Sequence, residues 1–348
     1  MKRVTIRDVA AKAGVSMMTV SRVINSGVNV QPETRVRVQA AIDALNFLPS
    51  QSARSLRARR SHWISLMFQA SSRLWKHNSA PGFLVDFQAG IVSRCQQEGY
   101  YLLMHLSDSD GPRPEVDLIA AIVSNRPDGV LLFPPLCFST KLLAELRKLK
   151  IPVVRVAAAG FPDRSPCVDV DDRAAARQLT DYLIGLGHRH IGFIKGPAEH
   201  PVSELRYQGY RAALRAAGLT ARGQAVAQGL FSLESGITAA RELLRRDRRP
   251  TAIFASNDDM AAGCLIVARE MGISVPSQLS VAGFDDSQLA QMVWPPLTTI
   301  RQPIYDIGFT AAHQLFTLIR GGQPPNKSTL SHRLIERATT APPPKARG

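Results

Sequence analysis

Apolar residues near the amino terminus follow a helical rhythm that is interrupted once. Ile6, Val9 and Ala13 recur at helical spacing, and Val20 and Val23 resume that spacing a few residues later. The intervening sequence AGVS supplies a glycine, which turns at low cost, and a serine, which can cap the next helix. The pattern predicts two short helices joined by a tight turn. This is the outline of a helix-turn-helix, whose second helix enters the major groove of DNA.

A third helix and a basic segment follow this pair. The third helix is predicted from Pro32 and completes a headpiece over residues 1–48. Residues 49–60 (PSQSARSLRARR) form a neck that is short and rich in arginine. An isolated helix of this length is marginal in water, so a helical neck needs a partner, and the alternative is a basic linker.

Beyond residue 60 the pattern changes to short apolar runs that alternate with amphipathic helices. The predicted strands are Trp63–Phe68, Tyr101–Leu106, Gly129–Phe133, Pro152–Val156, His190–Lys195, Thr251–Ser256, Leu279–Gly283 and Thr298–Arg301. The predicted helices are Leu84–Glu98, Glu115–Ser124, Lys141–Leu149, Ala174–Leu186, Glu204–Ala217, Glu234–Arg246, Met260–Met271 and Ile304–Arg320. This alternation predicts an α/β domain over residues 61–340, built from two doubly wound, parallel-sheet lobes. Residues 341–348 (APPPKARG) are predicted to be a disordered tail.

Charge and cysteine content narrow the class of protein. The formal net charge is +15, and the first 60 residues hold 11 Lys and Arg but 3 Asp and Glu, which is typical of a nucleic-acid-binding headpiece. The four cysteines form no CxxC pair, so they indicate neither a zinc site nor a disulfide framework. No signal peptide or membrane span is evident, and a cytoplasmic protein that does not act at membranes is expected.

Several long motifs resemble the lactose-repressor/galactose-repressor family of bacterial transcription regulators. The headpiece carries T-I-x-D-V-A-x-x-A-G-V-S-x-x-T-V-S-R-V-x-N, and the neck carries F-x-P-x-x-x-A-R-S-L. The body carries ASNDDMAAG, SVAGFDD and PPLTTIRQP, so the resemblance spans nearly the full chain. It implies a helix-turn-helix headpiece, a hinge helix, and a two-lobed domain that shares the fold of periplasmic sugar-binding proteins.

The resemblance implies a set of DNA contacts. In this family the hinge helix forms on the operator, pairs with that of a second subunit, and inserts a leucine into the minor groove, which bends the duplex. The predicted DNA-contacting residues are Thr5, Ser16, Met17, Met18, Thr19, Ser21, Arg22, Asn25, Ala53, Arg54 and Leu56.

Two methionines depart from the usual family pattern. Met17 and Met18 stand where many relatives place polar residues that hydrogen-bond to bases. Thioethers offer mainly apolar contact, for example to thymine methyl groups. Arg22 lies on the same helical face and can reach a guanine or a phosphate. The alternative is that the two methionines pack in the headpiece core.

Candidate ligand contacts follow the carboxyl ends of the predicted strands, where ligands bind in doubly wound sheets. The resemblance assigns Arg206 to ligand hydroxyls or carboxylates, Phe231 to stacking on a sugar ring, and Asn257 and Asp285 to hydrogen bonding. Structural salt bridges are the alternative for Arg206 and Asp285, and core packing is the alternative for Phe231.

Two further candidates depend on position alone. Arg155 lies late in an apolar strand, and His200 lies in a loop after one, so each can face a ligand or fill a structural role. After Arg155 this chain has two alanines where many relatives have an acid, so no particular sugar is implied.

Enzyme and metal chemistry find little support in the sequence. G-x-S-x-G, H-E-x-x-H and P-loop motifs are absent, and no cofactor is expected. His188 and His190 have no third metal ligand nearby and are interpreted as structural residues.

The sequence therefore predicts a ligand-controlled DNA-binding regulator, most simply a repressor. We expect a homodimer on a pseudo-palindromic operator and a sugar effector that releases it. A purine-type corepressor is the alternative effector. A solute-binding protein for sugar uptake is the alternative class, although it would need an export signal.

Overall fold

The computed structural model describes residues 4–24, 30–47, 60–70, 81–108, 114–158, 160–198, 200–220 and 224–344. The chain divides into two compact units, Met1–His62 and Trp63–Gly348. The hinge prediction over residues 49–60 lies almost entirely outside the described residues.

The described part of the first unit is a small helical bundle of α1 (Ile6–Ala13), α2 (Met17–Ile24) and α3 (Pro32–Ala44). The backbone N–H of Thr5 donates to the Asp8 carboxylate over 2.7 Å, which satisfies an exposed donor at the start of α1. Gly14 ends that helix with a φ of 63°, a conformation that glycine adopts without strain. Val9, Val20 and Val38 are fully buried between the helices. The predicted helix-turn-helix is confirmed.

The second unit alternates strands and helices. Its strands are β1 (Trp63–Ala70), β2 (Tyr101–Asp108), β3 (Gly129–Leu132), β4 (Val153–Val156), β5 (Cys167–Val170), β6 (Ile191–Lys195), β7 (Val226–Gln228), β8 (Ala252–Ala255), β9 (Ser280–Asp285), β10 (Thr298–Arg301), β11 (Lys327–Leu330) and β12 (Arg333–Ile335). Its helices are α4 (Pro81–Glu98), α5 (Pro114–Asn125), α6 (Thr140–Lys148), α7 (Asp172–Gly185), α8 (Pro201–Ala216), α9 (Leu233–Leu244), α10 (Asp258–Glu270), α11 (Gln288–Met292) and α12 (Ile304–Ile319).

These elements build two lobes. The amino-terminal lobe has the strand order β2-β1-β3-β4-β5-β11, and each described pairing in it is parallel. The carboxy-terminal lobe has the order β7-β6-β8-β9-β10-β12, in which β12 runs antiparallel to β10. Apolar clusters lie on both faces of each sheet. In the amino-terminal lobe, α4 and α12 cover one face and α5 and α6 cover the other. In the carboxy-terminal lobe, α7 and α8 cover one face and α9 and α10 cover the other. The predicted doubly wound, two-lobed fold is confirmed.

The described chain passes between the lobes at three places. It leaves the first sheet after β5, returns to the first lobe after β10, and crosses again between β11 and β12. On its return, α12 packs closely on α4, where a Cβ at Gly90 would meet the Tyr305 carbonyl at 2.0 Å. Three parallel connections allow hinge motion of the lobes while limiting other displacements.

The predicted disordered tail requires a correction at its start. The Ala341 carbonyl accepts a hydrogen bond at 2.9 Å from the His188 ring, and its N–H donates to the Ser280 hydroxyl at 3.1 Å. The other His188 nitrogen bonds Thr251 at 2.8 Å, which confirms a structural role for this histidine. The ordered chain therefore continues past the predicted boundary at residue 340.

The described residues offer neither a membrane-spanning helix nor a cluster of metal ligands. Among the described residues, no helix is long and apolar enough to cross a membrane. In the same residues, no group of three or more His, Cys, Asp or Glu side chains is arranged to hold a metal ion.

Candidate DNA-binding face and effector cleft

The second helix of the headpiece presents a mixed apolar and cationic face. Val20 and Val23 point into the core, whereas Met17 and Met18 are 47% and 57% exposed. Arg22 is exposed on the same helix. The core interpretation of the two methionines is therefore excluded, and both thioethers are available to a partner of the headpiece.

The predicted hydroxyl-bearing contacts lie at different places in the headpiece. Ser16 Oγ accepts from the Thr19 N–H at 3.1 Å and lies 2.9 Å from Thr19 Oγ1, so it caps α2 as predicted. Thr5 Oγ1 bonds Asp8 at 2.7 Å, and Ser21 is partly buried. The predicted contacts Asn25, Ala53, Arg54 and Leu56 lie outside the described residues.

A cleft between α2 and α3 reveals two residues that the sequence analysis missed. Gln31 and Thr34 line it together with Ser16, Thr19 and Arg22. Gln31 precedes Pro32, the first residue of α3. The first backbone N–H groups of a helix have no partner within it, and those of α3 therefore lie near this cleft. Helix amino termini attract phosphate. The proline at the start of the third helix was the signal that could have identified Gln31 and Thr34.

Arg206 is the centre of a buried polar cluster at the carboxyl edge of the second sheet. Its Nε donates to Asp172 Oδ1 at 2.7 Å, and its Nη1 donates to the Ser256 carbonyl at 2.5 Å. The guanidinium carbon lies 3.8 Å from the centre of the Phe284 ring. The Arg206 side chain is 6% exposed. This arginine therefore joins α8, β8 and β9 to the start of α7, directly after the first crossing between the lobes.

Asp285 completes the cluster at the end of β9. Its Oδ1 lies 3.9 Å from Arg206 Nη1 and accepts from Gln302 Nε2 at 2.7 Å. The backbone at Asp285 has a φ of 118°, a conformation that residues other than glycine rarely adopt. Burial raises the pKa of the Asp285 carboxyl to about 7, and Arg206 opposes this shift. Gln302 precedes the second crossing, so this contact also connects the cluster to the hinge.

Asn257 and Phe231 support one another beside Arg206. Asn257 Oδ1 accepts from the Met260 N–H and caps α10, while its Nδ2 donates to the Phe231 carbonyl, both at 3.0 Å. The Phe231 ring centre is 5.8 Å from the Arg206 guanidinium. A Cβ at Gly196 would lie 2.3 Å from Phe231, so glycine is required for the ring to occupy this place. Asn257 is thus a helix cap that positions the Phe231 backbone.

His200 connects the two lobes. Its ring lies 5.7 Å from the Phe231 ring, edge to face, and 6.2 Å from the ring of Phe133 at the end of β3 in the other lobe. Burial, and secondarily Arg206, lower the pKa of His200 to about 4, so the ring is neutral near pH 7. Phe133 was not predicted from the sequence. We call the space bordered by Phe133, His200, Arg206, Phe231 and Asp285 the effector cleft.

Arg155 does not join this cleft. Its guanidinium donates to the carbonyls of Phe161 at 3.0 Å and Ser165 at 3.1 Å, and it contacts the Asp163 carbonyl at 3.4 Å. These contacts fold the segment between β4 and β5 over the arginine. The structural alternative for Arg155 is therefore the one that the geometry supports, because its charge is satisfied by backbone dipoles within its own lobe.

Known proteins share both the sequence and this architecture. Residues 5–50 match the family described as bacterial regulatory proteins, lacI family, and residues 180–340 match a periplasmic binding protein-like domain. The chain is 34% identical to catabolite control protein A of Priestia megaterium over 334 residues, which is 96% of each chain. It is 35% identical to the ribose operon repressor of Escherichia coli over 307 residues, 87% of this chain and 89% of the relative.

The chain belongs to the lacI family. Among solved structures, a lac repressor dimer bound to operator and the anti-inducer ONPF matches it with a TM-score of 0.84 at 28% identity, covering 98% of this chain and 100% of the other. A complex of the transcriptional regulator CelR with cellobiose matches with a TM-score of 0.73 at 32% identity, covering 97% and 100%. The resemblance inferred from the motifs is confirmed for this lacI-family protein.

Proposed function

We propose that this lacI-family protein is a sugar-responsive transcription repressor. The main support is the hydrogen bond from Arg206, in the effector cleft, to Asp172. Asp172 directly follows the first crossing between the lobes. The ribose operon repressor and the cellobiose complex of CelR associate related chains with sugars. A ligand that rearranges the bonds of Arg206 acts directly on the hinge.

The proposed mechanism is a population shift between two lobe arrangements. Ligand contacts with Arg206 and Asp285 in one lobe and Phe133 in the other favour one relative angle of the lobes. The first lobe begins at Trp63, directly after the neck, so its movement is transmitted to residues 49–60. We propose that Ala53, Arg54 and Leu56 contact DNA only when the necks of two subunits pair, and that the sugar prevents this pairing.

A homodimer is part of this proposal. The second lobe exposes Met292 by 73% and Trp294 by 87%. In the first lobe, the edge strand β2 exposes Tyr101 by 51% and Leu106 by 53%. Large exposed apolar side chains of this kind are typical of association surfaces. A second copy would cover them and place two headpieces on the two halves of an operator, in the cytoplasm where that DNA lies.

The alternative functions fit the structure less well. A solute-binding protein has no use for the exposed Met17, Met18 and Arg22 on a recognition helix. We propose that the protein binds its ligand without catalysis, because Arg206 is engaged by Asp172 at 2.7 Å and Asp285 lies 3.9 Å from the same guanidinium. The purine-type corepressor receives no specific support from the cleft.

The proposal is tested by DNA retention with fragments from the region of its own gene. The full-length protein should retain a pseudo-palindromic fragment in a salt-dependent manner and release it when the appropriate sugar is added. Leu56→Ala should weaken retention and reduce DNA bending while sugar binding is unchanged. Retention that shows no sequence preference would contradict the proposal, and an unchanged bend in Leu56→Ala would contradict the proposed role of the neck.

A further inference from the structure

The segments that lead into the parallel strands of the second sheet carry an unbalanced positive charge. Each of them joins a helix to the following strand, so all lie at the amino edge of the sheet, opposite the effector cleft. The five segments are 186–190, 217–225, 245–251, 271–279 and 293–297. Together they contain six arginines and one aspartate, Asp247, a net charge of +5 out of the +15 of the whole chain.

Hydrogen bonds hold the segments before β6, β7 and β8 against one another. Gln224 Nε2 donates to the Arg189 carbonyl at 3.1 Å, and Gln224 Oε1 accepts from the Ile191 N–H at 3.0 Å. His190 Nδ1 donates to the Arg249 carbonyl at 2.9 Å. The arginines of these segments therefore share one surface. We call this surface the arginine edge, and its described members are Arg189, Arg245, Arg246, Arg248 and Arg249.

Most of the charge on the arginine edge is not neutralised within the protein. All five guanidinium groups belong to exposed residues. Arg246 pairs with Glu242 at 2.8 Å, and the neighbouring Glu270 is held by Arg241 at 2.9 Å. The Arg189 side chain donates to two backbone carbonyls, which are uncharged. The remaining three members, Arg245, Arg248 and Arg249, form no ion pair with any residue that the structure describes.

A structural role explains only part of this charge. Arg245 is the carboxy-terminal cap of α9, where the helix dipole favours a cation. Arg248 and Arg249 lie beyond the helix end and have no such compensation. Four arginines within five residues repel one another, which lowers the stability of the isolated protein. This cost is offset when an anionic partner covers the surface.

The composition of the arginine edge suits a phosphate backbone better than a folded protein partner. A guanidinium group donates two parallel hydrogen bonds to one phosphate. Protein interfaces are instead anchored by large side chains, aromatic ones above all. Residues 245–251 (RRDRRPT) contain no aromatic or large apolar side chain. A duplex needs no such anchor, because most of its non-specific affinity comes from the counter-ions that arginine and lysine displace.

We propose that the arginine edge is a second, sequence-independent DNA-binding surface, which contacts the phosphate backbone of a duplex through Arg245, Arg248 and Arg249. The chain enters the second unit at Trp63, at the amino edge of the first sheet. The carboxyl edges of the two sheets face one another, since the Phe133 and His200 rings are 6.2 Å apart. The two amino edges are therefore at opposite ends of this unit. The arginine edge thus suits a DNA segment other than the one beside the neck, and a repressor dimer would hold both.

The test measures DNA binding when the headpiece is disabled. Met17→Glu, Met18→Glu and Arg22→Glu place three acids on the exposed face of α2 in the full-length protein. In this background, Arg245→Gln, Arg248→Gln and Arg249→Gln remove three charges from the arginine edge. Fluorescence anisotropy then follows a labelled duplex of about 30 base pairs, of arbitrary sequence, in about 50 mM salt. Urea denaturation checks that each variant remains folded.

Three other arginines of the same lobe provide the matched control. Arg173→Gln, Arg177→Gln and Arg211→Gln remove the same charge from the exposed faces of α7 and α8. The arginine-edge variant should bind DNA at least about 10-fold more weakly than the disabled parent, whereas the control should lose less than about 3-fold. The slope of log affinity against log salt should fall by about 2–3 in the arginine-edge variant alone. Equal losses in the two variants would overturn the inference.

Competition distinguishes DNA from an acidic protein partner. Unlabelled duplex and polyglutamate are added at equal concentrations of charge to the complex of the disabled parent with labelled DNA. The duplex should displace the label at least about 10-fold more effectively, because arginine forks match phosphate. Equal displacement by polyglutamate would overturn the assignment to DNA. Neither experiment involves a sugar or an operator, so failure of the repressor proposal would leave both results unchanged.

Discussion

The recognition helix and the effector cleft differ in how their candidate binding residues are placed in the sequence and how far they are buried. On α2, the predicted contacts from Ser16 to Arg22 are adjacent in sequence, and the two methionines and Arg22 are exposed. In the cleft, Asp172, Arg206 and Asp285 come from distant parts of the chain and are buried together, with Arg206 2.7 Å from Asp172 and 3.9 Å from Asp285. The helix presents exposed groups to a partner, whereas the cleft must exchange existing bonds for new ones. Loss of a cleft residue should therefore destabilise the fold, and loss of a helix residue should affect binding alone.

The largest effect is expected from Arg206→Met. This change leaves Asp172 buried without its ion-pair partner, so unfolding free energy should fall by about 3–5 kcal/mol. The measurement is urea denaturation of the full-length protein followed by circular dichroism. Arg241→Met is the control, since Arg241 is 45% exposed and pairs with Glu270 at 2.9 Å. It should cost about 1 kcal/mol or less. Similar losses in the two variants would contradict the assignment of Arg206 as the structural centre of the cleft.

The next largest effect is expected for operator binding by the recognition helix. Arg22→Ala should weaken operator binding by about 1–3 kcal/mol and relax sequence preference at one base pair, if its guanidinium reads a guanine. Unfolding free energy should be unchanged because Arg22 is exposed. Fluorescence anisotropy with operator variants measures the affinity and the sequence preference, and urea denaturation measures the unfolding free energy. Arg37→Ala is a control on the exposed surface of α3, outside the cleft beside α2. Loss of the same size on every DNA sequence would show that Arg22 contacts phosphate instead.

This contrast explains what sequence reasoning recovers. A short helix with its cap, turn and exposed face is contiguous, so Ser16, Thr19 and Arg22 could be placed from local rules and family motifs. The strand–helix alternation likewise predicted each long element of the two lobes. The predicted α7 began at Ala174, which left Asp172 outside it, although this residue is the one that holds Arg206. Pairing between residues so far apart in sequence leaves no local pattern.

Four observed strands, β5, β7, β11 and β12, were not predicted, and their omission has a related cause. β11 (KSTL) and β12 (RLI) are short edge strands with several exposed residues, so no apolar run marks them. β5 (CVDV) contains Asp169, whose Oδ1 accepts from the Ala158 N–H at 2.8 Å and satisfies a buried carboxylate inside a sheet. Two of the three crossings between the lobes adjoin these strands. The hinge could therefore be expected from the family resemblance but not located from the sequence.

A smaller effect should appear as a pH dependence that the headpiece does not share. The pKa of Asp285 is raised in the folded protein to about 7, so the native state binds a proton that the unfolded chain releases near pH 4. The contribution of Asp285 to stability is therefore greatest in acid and declines as pH rises through 7, by about 1 kcal/mol between pH 6 and pH 7.

Asp285→Asn should remove this contribution, so the change in stability from pH 6 to pH 7 should differ by about 1 kcal/mol between the variant and wild type. The measurement is unfolding free energy at pH 6, 6.5 and 7 in both proteins. His200, whose pKa is lowered to about 4, acts in the opposite direction and raises stability by about 0.7 kcal/mol from pH 6 to pH 7, because the unfolded histidine loses its proton across this range. This contribution is the same in both proteins and cancels in the comparison. An identical slope in the variant would show that Asp285 does not titrate there.

The smallest effect tests whether the cleft between α2 and α3 holds DNA phosphate. Thr34→Val keeps the shape of the side chain but removes a hydroxyl that lines this cleft. Affinity should fall by about 0.5–1 kcal/mol on all DNA sequences alike, because a phosphate contact positions the protein without reading bases. The dependence of affinity on salt should keep its slope, since no cation is removed. Gln39→Ala, on the exposed side of α3, should leave affinity unchanged. A change in sequence preference with Thr34→Val would assign this cleft to base recognition, and would extend the exposed reading surface beyond the second helix.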